Sequence, residues 1–157
     1  MSNMRQSELF TKTSKEAPKE EKSVNSRLLV RAGFIDKLMA GVYSYLPLGF
    51  EVLKKIENII RQEINATGAV ELLMPALHPK DIWQKTDRWK YPEMFKLKNR
   101  QGRDFSLGWT HEEVVTPLAG KFLKSYKDLP FSAYQIQDKF RDELRVKSGS
   151  LLAREIK

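Results

Sequence analysis

The chain of 157 residues contains no cysteine and only two histidines, His78 and His111. The absence of thiols excludes disulfides, thiolate zinc sites, iron-sulfur clusters and a cysteine nucleophile, and is compatible with a reducing compartment, the cytoplasm by default. The scarcity of histidine matters at His111-Glu112, which begins like the zinc-protease pattern H-E-x-x-H. Its fifth position is Val115, so the second metal ligand is missing, and no metal site is expected. No run approaches the ~18 apolar residues that a membrane span requires. The stretch from Met1 to Phe10 lacks the apolar core of a secretory signal, and Thr11 to Lys22 is basic but also rich in Glu, unlike an acidic-poor transit peptide. A G-x-x-x-x-G-K-[ST] phosphate loop, a G-x-G-x-x-G turn after a strand and a G-x-S-x-G elbow are all absent, so any nucleotide must be held by side chains on a sheet. There is no internal repeat.

What is present is an ordinary globular composition, 41% hydrophobic and 31% charged, at a length near one domain. The 28 basic and 20 acidic residues leave +8, which suits polyanionic partners such as nucleic acid, nucleotides or phosphates, or simply a solvated Lys-rich surface. Residues 1–22 are polar, without a sustained period, and read as an N-terminal arm ordered at most around Leu9 and Phe10. Ser23 or Asn25 can cap a short helix through Ala32, which Gly33 breaks. Phe34, Ile35, Leu38 and Met39 form an apolar cluster ended by Gly41, Val42 to Leu46 alternates as a strand, and Pro47-Leu48-Gly49 reads as a turn. Phe50, Leu53, Ile56, Ile60 and Ile64 then recur at helical spacing, predicting an amphipathic helix capped by Gly68 and followed by a strand from Ala69 to Met74 that Pro75 stops. Ile82 and Trp83 fall on a short helix. Met94 to Leu97 and Asp104 to Leu107 predict an antiparallel pair joined through Asn99-Arg100-Gln101-Gly102. His111 to Lys124 is helical in pattern, and Tyr134 to Glu143 reads as one strand.

Two constellations can carry chemistry. On a strand from Tyr134 to Glu143, Arg141 and Glu143 share the polar face with Gln135, Gln137 and Lys139. The guanidinium can take two phosphate or carboxylate oxygens and the carboxylate an exocyclic amine. Equally, the two can neutralise each other in solvent. Thr110-His111-Glu112-Glu113 sets a hydroxyl beside a carboxylate, able to bind an ammonium or secondary amine. It also fits a capping box from Thr110 to Glu113. Trp83, Trp89, Tyr91 and Phe95 read either as a base-stacking surface or as core.

Taken together and in order, these residues resemble class II aminoacyl-tRNA synthetases, specifically the bacterial-type prolyl-tRNA synthetases. The resemblance is collinear from about Met4 to Glu155. It includes Arg31-Ala32-Gly33-Phe34-Ile35, the block from Gly41 to Gly49, the helix and Gly68-to-Pro75 segment of motif 1, Thr110-His111-Glu112-Glu113, and Phe140-Arg141-Asp142-Glu143 as the F-R-x-E core of motif 2. It implies an α+β fold, the class II catalytic core with an antiparallel sheet flanked by helices, incomplete at the C-terminus. The arm would cover 1–22 and the N-terminal portion of the catalytic domain 23–157, with motif 1 at about 50–75, an amine-binding loop at 108–113 and motif 2 from about 134 onward. The implied function is ATP-dependent activation of proline and its transfer to tRNA(Pro), with Mg2+ accompanying ATP, in a cytoplasmic homodimer joined through the motif 1 helix and strand. Arg141 would be the catalytic group, binding the α-phosphate and the proline carboxylate. Thr110 and Glu112 would hold the proline nitrogen, Glu143 the adenine amine and Arg154 the outer phosphates. Leu152 stands where the family has a second arginine, and motif 3, the rest of the sheet and an anticodon-binding domain are not in the sequence. This chain is therefore expected to be inactive by itself. The alternatives are a non-catalytic synthetase-like module that binds tRNA, and a class II synthetase for another amino acid.

Overall fold

The structure is a computed structural model and describes residues 5–16, 18–19, 21, 23–146 and 153–157. It divides into two compact units. One comprises the described residues up to Ile59 with Arg145, Val146 and Ala153; the other comprises Ile60–Leu144 and Arg154–Lys157.

In the first unit, helix α1 (Val24–Arg31) starts at Ser23, whose hydroxyl accepts the Ser26 N–H at 3.1 Å, as an N-cap serine should. Within the polar arm, Ser14 N–H donates to Arg31 O, and the buried Glu21 carboxylate accepts from Ser26 Oγ and pairs with Lys37 at 2.6 Å. Gly33 ends the helix at φ 70°, a left-handed conformation that costs glycine little. The apolar cluster that follows is strand β1 (Ile35–Met39), antiparallel to β2 (Val42–Tyr45). Only Ile35 of the cluster is buried while Leu38 and Met39 are exposed, so no two-residue period marks it as a strand. Pro47, expected in a turn, is instead the first residue of helix α2 (Pro47–Ala66), where its missing N–H costs nothing. Gly49 lies inside that helix because a Cβ there would sit 2.0 Å from Phe34 O.

In the second unit, the end of α2 leads through Gly68, at φ 82°, into β3 (Val70–Glu71), which pairs in parallel with β7 (Ala133–Tyr134). Strands β4 (Leu77–Pro79), β5 (Lys96–Lys98) and β6 (Asp104–Leu107) form an antiparallel sheet in the order β4-β6-β5. Its β5–β6 connection is tightened by Asn99, whose Oδ1 accepts the N–H groups of Gln101 and Arg103 at 2.9 Å each. Helix α3 (Lys80–Lys85) follows β4, helix α4 (Glu112–Phe122) follows β6, and β8 (Lys139–Phe140) pairs antiparallel with β9 (Glu155–Ile156). The fold is thus α+β, with antiparallel pairs and one parallel pair.

Two strands are shorter than the sequence predicts. The segment from Tyr134 to Glu143 divides into β7 and β8, which join different partners, and of the strand expected from Ala69 to Met74 only Val70–Glu71 is regular. The reason is shared. Residues 135–138 have no strand partner among the described residues, and the Gln137 side chain engages the Met74 backbone in place of a ladder. Trp83, Met74 and Met94 form the buried apolar centre of this unit, with His78, Ser106, His111 and Glu113 buried among its polar residues.

Candidate functional site

The loop between β6 and α4 is stitched to its surroundings by Gly108, whose N–H donates to Ala76 O at 2.7 Å and whose carbonyl accepts from Phe140 N–H at 2.9 Å. A Cβ at Gly108 would meet the His111 ring at 3.0 Å and the His78 ring at 3.3 Å, so glycine is needed for close approach. Beyond it, the Thr110 hydroxyl donates to the Glu112 carboxylate. That bond holds the Glu112 carboxyl below the usual range; burial works against it, and Arg88 and His111 reinforce it. The result is an ionised carboxylate aligned with a hydroxyl, suited to a cationic amine.

The capping box expected from Thr110 to Glu113 does not form. His111 occupies the N-cap position without a side-chain cap bond, and Glu113 turns inward, accepting from Arg88 Nη1 at 2.9 Å and Thr86 Oγ1 at 3.2 Å. A carboxylate 5% exposed needs such partners. Adjacent glutamates therefore divide the work: Glu113 anchors the helix start, and Glu112 stays at the surface.

Arg141 and Glu143 line one cleft of about 430 Å³ with Tyr91, Pro92, Glu93 and Trp109. They share it even though the strand that was to carry them is broken, because short backbone bonds fix the segment. Arg141 N–H donates to Arg154 O and Asp142 N–H to Glu93 O, both at 2.8 Å. Arg141 Nε is buried without a hydrogen-bond partner among the described residues. A buried cationic donor left unpaired is costly, and an anionic ligand would relieve it. The Arg154 guanidinium lies on the Glu143 carbonyl, with Nε and Nη2 at 3.2 and 3.0 Å. Trp109, edge-on to Tyr91 at 5.6 Å, is both a wall of this cleft and the residue before Thr110, while Glu112 lines a second cleft of about 240 Å³ with Ile82, Thr86, Arg88 and Pro117.

Sequence reasoning missed three contributors. Lys139 donates to Gln137 O at 3.0 Å. Burial lowers its ammonium pKa; Glu112 and Asp138 oppose that, and Arg141 adds to it. Its place on the polar side of the expected strand was the one signal available. Arg88, the partner of Glu113, had none, and Trp109 had only its position in the loop. The aromatic surface separates: Trp83 is 0% exposed and belongs to the core, Tyr91 reaches the cleft, and Trp89 lies under Lys80 and Lys96 at 5.4 and 5.7 Å. Leu152 lies outside the described residues. Among those residues there is no group of three potential metal ligands, and none of their helices is long and apolar enough to cross a membrane.

The chain has the fold of the corresponding part of class II aminoacyl-tRNA synthetases. A prolyl-tRNA synthetase from Cryptosporidium parvum solved with L-proline and AMP superposes with a TM-score of 0.72 at 18% identity, over 81% of this chain and 26% of that one. The same enzyme with halofuginone and AMPPNP gives 0.75, over 83% and 28%. In sequence the chain is homologous to the N-terminal part of proline-tRNA ligases: 51% identical to that of Methylobacillus flagellatus and 53% to that of Thermotoga maritima, each over 154 residues. These alignments take in 97% of this chain but 27% of the relatives, so the chain spans about a quarter of their length. No family model matches.

Proposed function

We propose that the chain is the N-terminal share of a catalytic domain that activates proline with ATP and passes it to tRNA(Pro). The observation that carries this reading is the 51% identity to proline-tRNA ligases across 97% of the chain, and the side chains fit it. Arg141, its Nε unpaired, would bind the proline carboxylate and the α-phosphate as the carboxylate oxygen attacks phosphorus and pyrophosphate leaves in line, stabilising the charge that develops. Thr110 and the ionised Glu112 would hold the proline nitrogen, Glu143 the adenine amine and Arg154 the outer phosphates. Mg2+ accompanying ATP would offset the phosphate charge; among the described residues there is no group of three potential metal ligands. In this reading residues 1–22 are an arm and 23–157 the start of the catalytic domain, with motif 1 at about 50–75, the amine-binding loop at 108–113 and motif 2 from about 134. The exposed aliphatic side of α2, with β3, is the homodimer surface, and the assembly works in the cytoplasm.

The test is thermal stabilisation of the purified chain by hydrolysis-resistant aminoacyl-adenylate analogues. A shift with the prolyl analogue that is absent with the alanyl and seryl analogues, and lost in Arg141→Ala, is expected. Equal shifts with all analogues, or none, would overturn the assignment. The isolated chain should show no proline-dependent pyrophosphate exchange, and turnover abolished by Arg141→Ala would refute its expected inactivity.

A further inference from the structure

We propose that Gln137 and His111 form a positioning pair, in which the Gln137 amide, locked onto the Met74 backbone, orients the His111 imidazole and through it the flanking Thr110 and Glu112. The part concerning the amine rests on the proline-activation reading.

The orientation of the amide follows from Met74. Gln137 Oε1 accepts the Met74 N–H at 2.9 Å, and Gln137 Nε2 donates to the Met74 carbonyl at 2.8 Å. Reversing the amide would set donor on donor and acceptor on acceptor at both contacts, so the backbone assigns oxygen and nitrogen. The second hydrogen on Nε2 is then available to His111 Nε2, 2.8 Å away. Accepting it requires a lone pair on that ring nitrogen, which puts the His111 proton on Nδ1, a buried atom without a hydrogen-bond partner among the described residues; the competing tautomer would instead donate from Nε2 to Pro75 O and lose the shorter Gln137 contact. The neighbouring ring takes the complementary role: His78 Nε2 donates to Pro75 O at 2.8 Å, whereas His111 Nε2 is 3.1 Å from the same oxygen. The rings meet edge to face at 4.9 Å, and both residues are buried.

A fixed tautomer matters here because of where His111 sits in the chain. It is the N-cap residue of α4, with Thr110 before it and Glu112 after it, so the ring is the buried pin between the two side chains that meet at the surface. The charged and titratable groups facing the pair are Lys139 and His78, which disfavour a cation on His111, Glu112, which favours one, and Glu113, which acts on His78. With burial as the largest contribution, the His111 pKa falls to about 4, so the ring stays neutral wherever the Gln137 N–H is to be accepted.

The experiment is imidazole 15N and carboxyl 13C NMR on the full 157-residue chain and two variants. In the unaltered chain His111 should be the Nδ1–H tautomer, neutral to below pH 5. Gln137→Met retains the side-chain length and removes both polar poles; it should release the Thr110–Glu112 contact, raise the Glu112 titration toward an ordinary carboxylate and weaken prolyl-adenylate analogue binding by about tenfold. Gln137→Glu places an acceptor opposite His111 and should move the proton to Nε2 and raise the His111 pKa, which a merely structural role would not require. An Nε2–H tautomer in the unaltered chain overturns the pair, as does a folded Gln137→Met variant with unchanged Glu112 titration. Should Gln137→Met fail to fold, the tautomer in Gln137→Glu decides. Failure of the unaltered chain to bind the analogue counts against the proline reading alone, because the tautomer and the Glu112 titration are read without ligand.

Discussion

The outer side of α2 and the cluster around Pro75 invert the usual partition of residues. Val52, Ile56, Ile59 and Ile60, at helical spacing, are 42%, 49%, 61% and 44% exposed, while His78, His111 and Glu113 are buried. Each departure has a cost, from hydrated aliphatic surface in one case and desolvated polar groups in the other. In the cluster part of the compensation is supplied from within the chain, by the Pro75 carbonyl, the Gln137 amide and the Arg88 guanidinium, while His78 Nδ1, His111 Nδ1 and Glu113 Oε2 have no hydrogen-bond partner among the described residues. On α2 no described residue brings these side chains below one-third exposure. The cluster is therefore to be probed by stability and the helix face by association.

The largest effect should come from removing the apolar floor of the cluster. Trp83 is 0% exposed and stacks on His78 with ring centroids 5.6 Å apart. Trp83→Ala should cost about 3–5 kcal/mol in urea or guanidinium denaturation. A loss below about 1 kcal/mol would mean that the polar groups hold the cluster without it.

Acid should act next. The folded-state pKa of His111 is lowered from 6.5 to about 4, chiefly by burial, with Lys139 and His78 adding to the effect, and His78 shifts in the same direction. Between those values the unfolded chain binds the proton and the folded chain does not. The contribution of His111 is thus complete above pH 6.5 and is lost as pH falls toward 4, by up to about 3 kcal/mol. Denaturation midpoints at pH 7 and 4.5 should diverge in the unaltered chain, and His111→Gln should flatten that difference. An equal slope in both would assign the acid sensitivity elsewhere.

The same contrast explains what was legible in the sequence. Elements that depend on local chemistry were readable: α2 from its apolar spacing, its end from Gly68, and β5–β6 from Asn99 and Gly102. The ligands assigned to Thr110, Glu112, Arg141 and Glu143 belong to the proposed function, but that Thr110 lies against Glu112 and that Arg141 and Glu143 come together was readable from their closeness in short strings. The broken strand around Gln137 was not, because its pairing is decided by a side chain reaching Met74, 63 positions away. The role of Glu113 was misread for the same reason. Its capping alternative is local, whereas Arg88 is 25 residues distant and nothing in its neighbourhood announces the pairing. Polar residues in a site take their roles from tertiary neighbours, and helical periodicity does not report those.

The helix face supplies the smallest and most specific prediction. If α2 is the surface through which two copies meet, its aliphatic side chains lose their hydration only on association, and the monomer gains nothing from them. Ile60→Glu replaces one such group, 44% exposed, with a charge. Completing the burial of an isoleucine is worth about 1–2 kcal/mol and burying the new carboxylate costs more, so the dimerisation constant should weaken by about tenfold or more while the stability of the monomer changes by less than about 0.5 kcal/mol. Sedimentation equilibrium over a concentration series measures the first and denaturation at low concentration the second. Leu53, on the more covered stripe of the same helix with Glu57, Arg61 and Ile64, is the control. Leu53→Ala should lower monomer stability and leave the association constant of the folded fraction unchanged. If both substitutions shift the same quantity, the two sides of α2 are not energetically distinct, and the exposed isoleucines are ordinary surface rather than an interface.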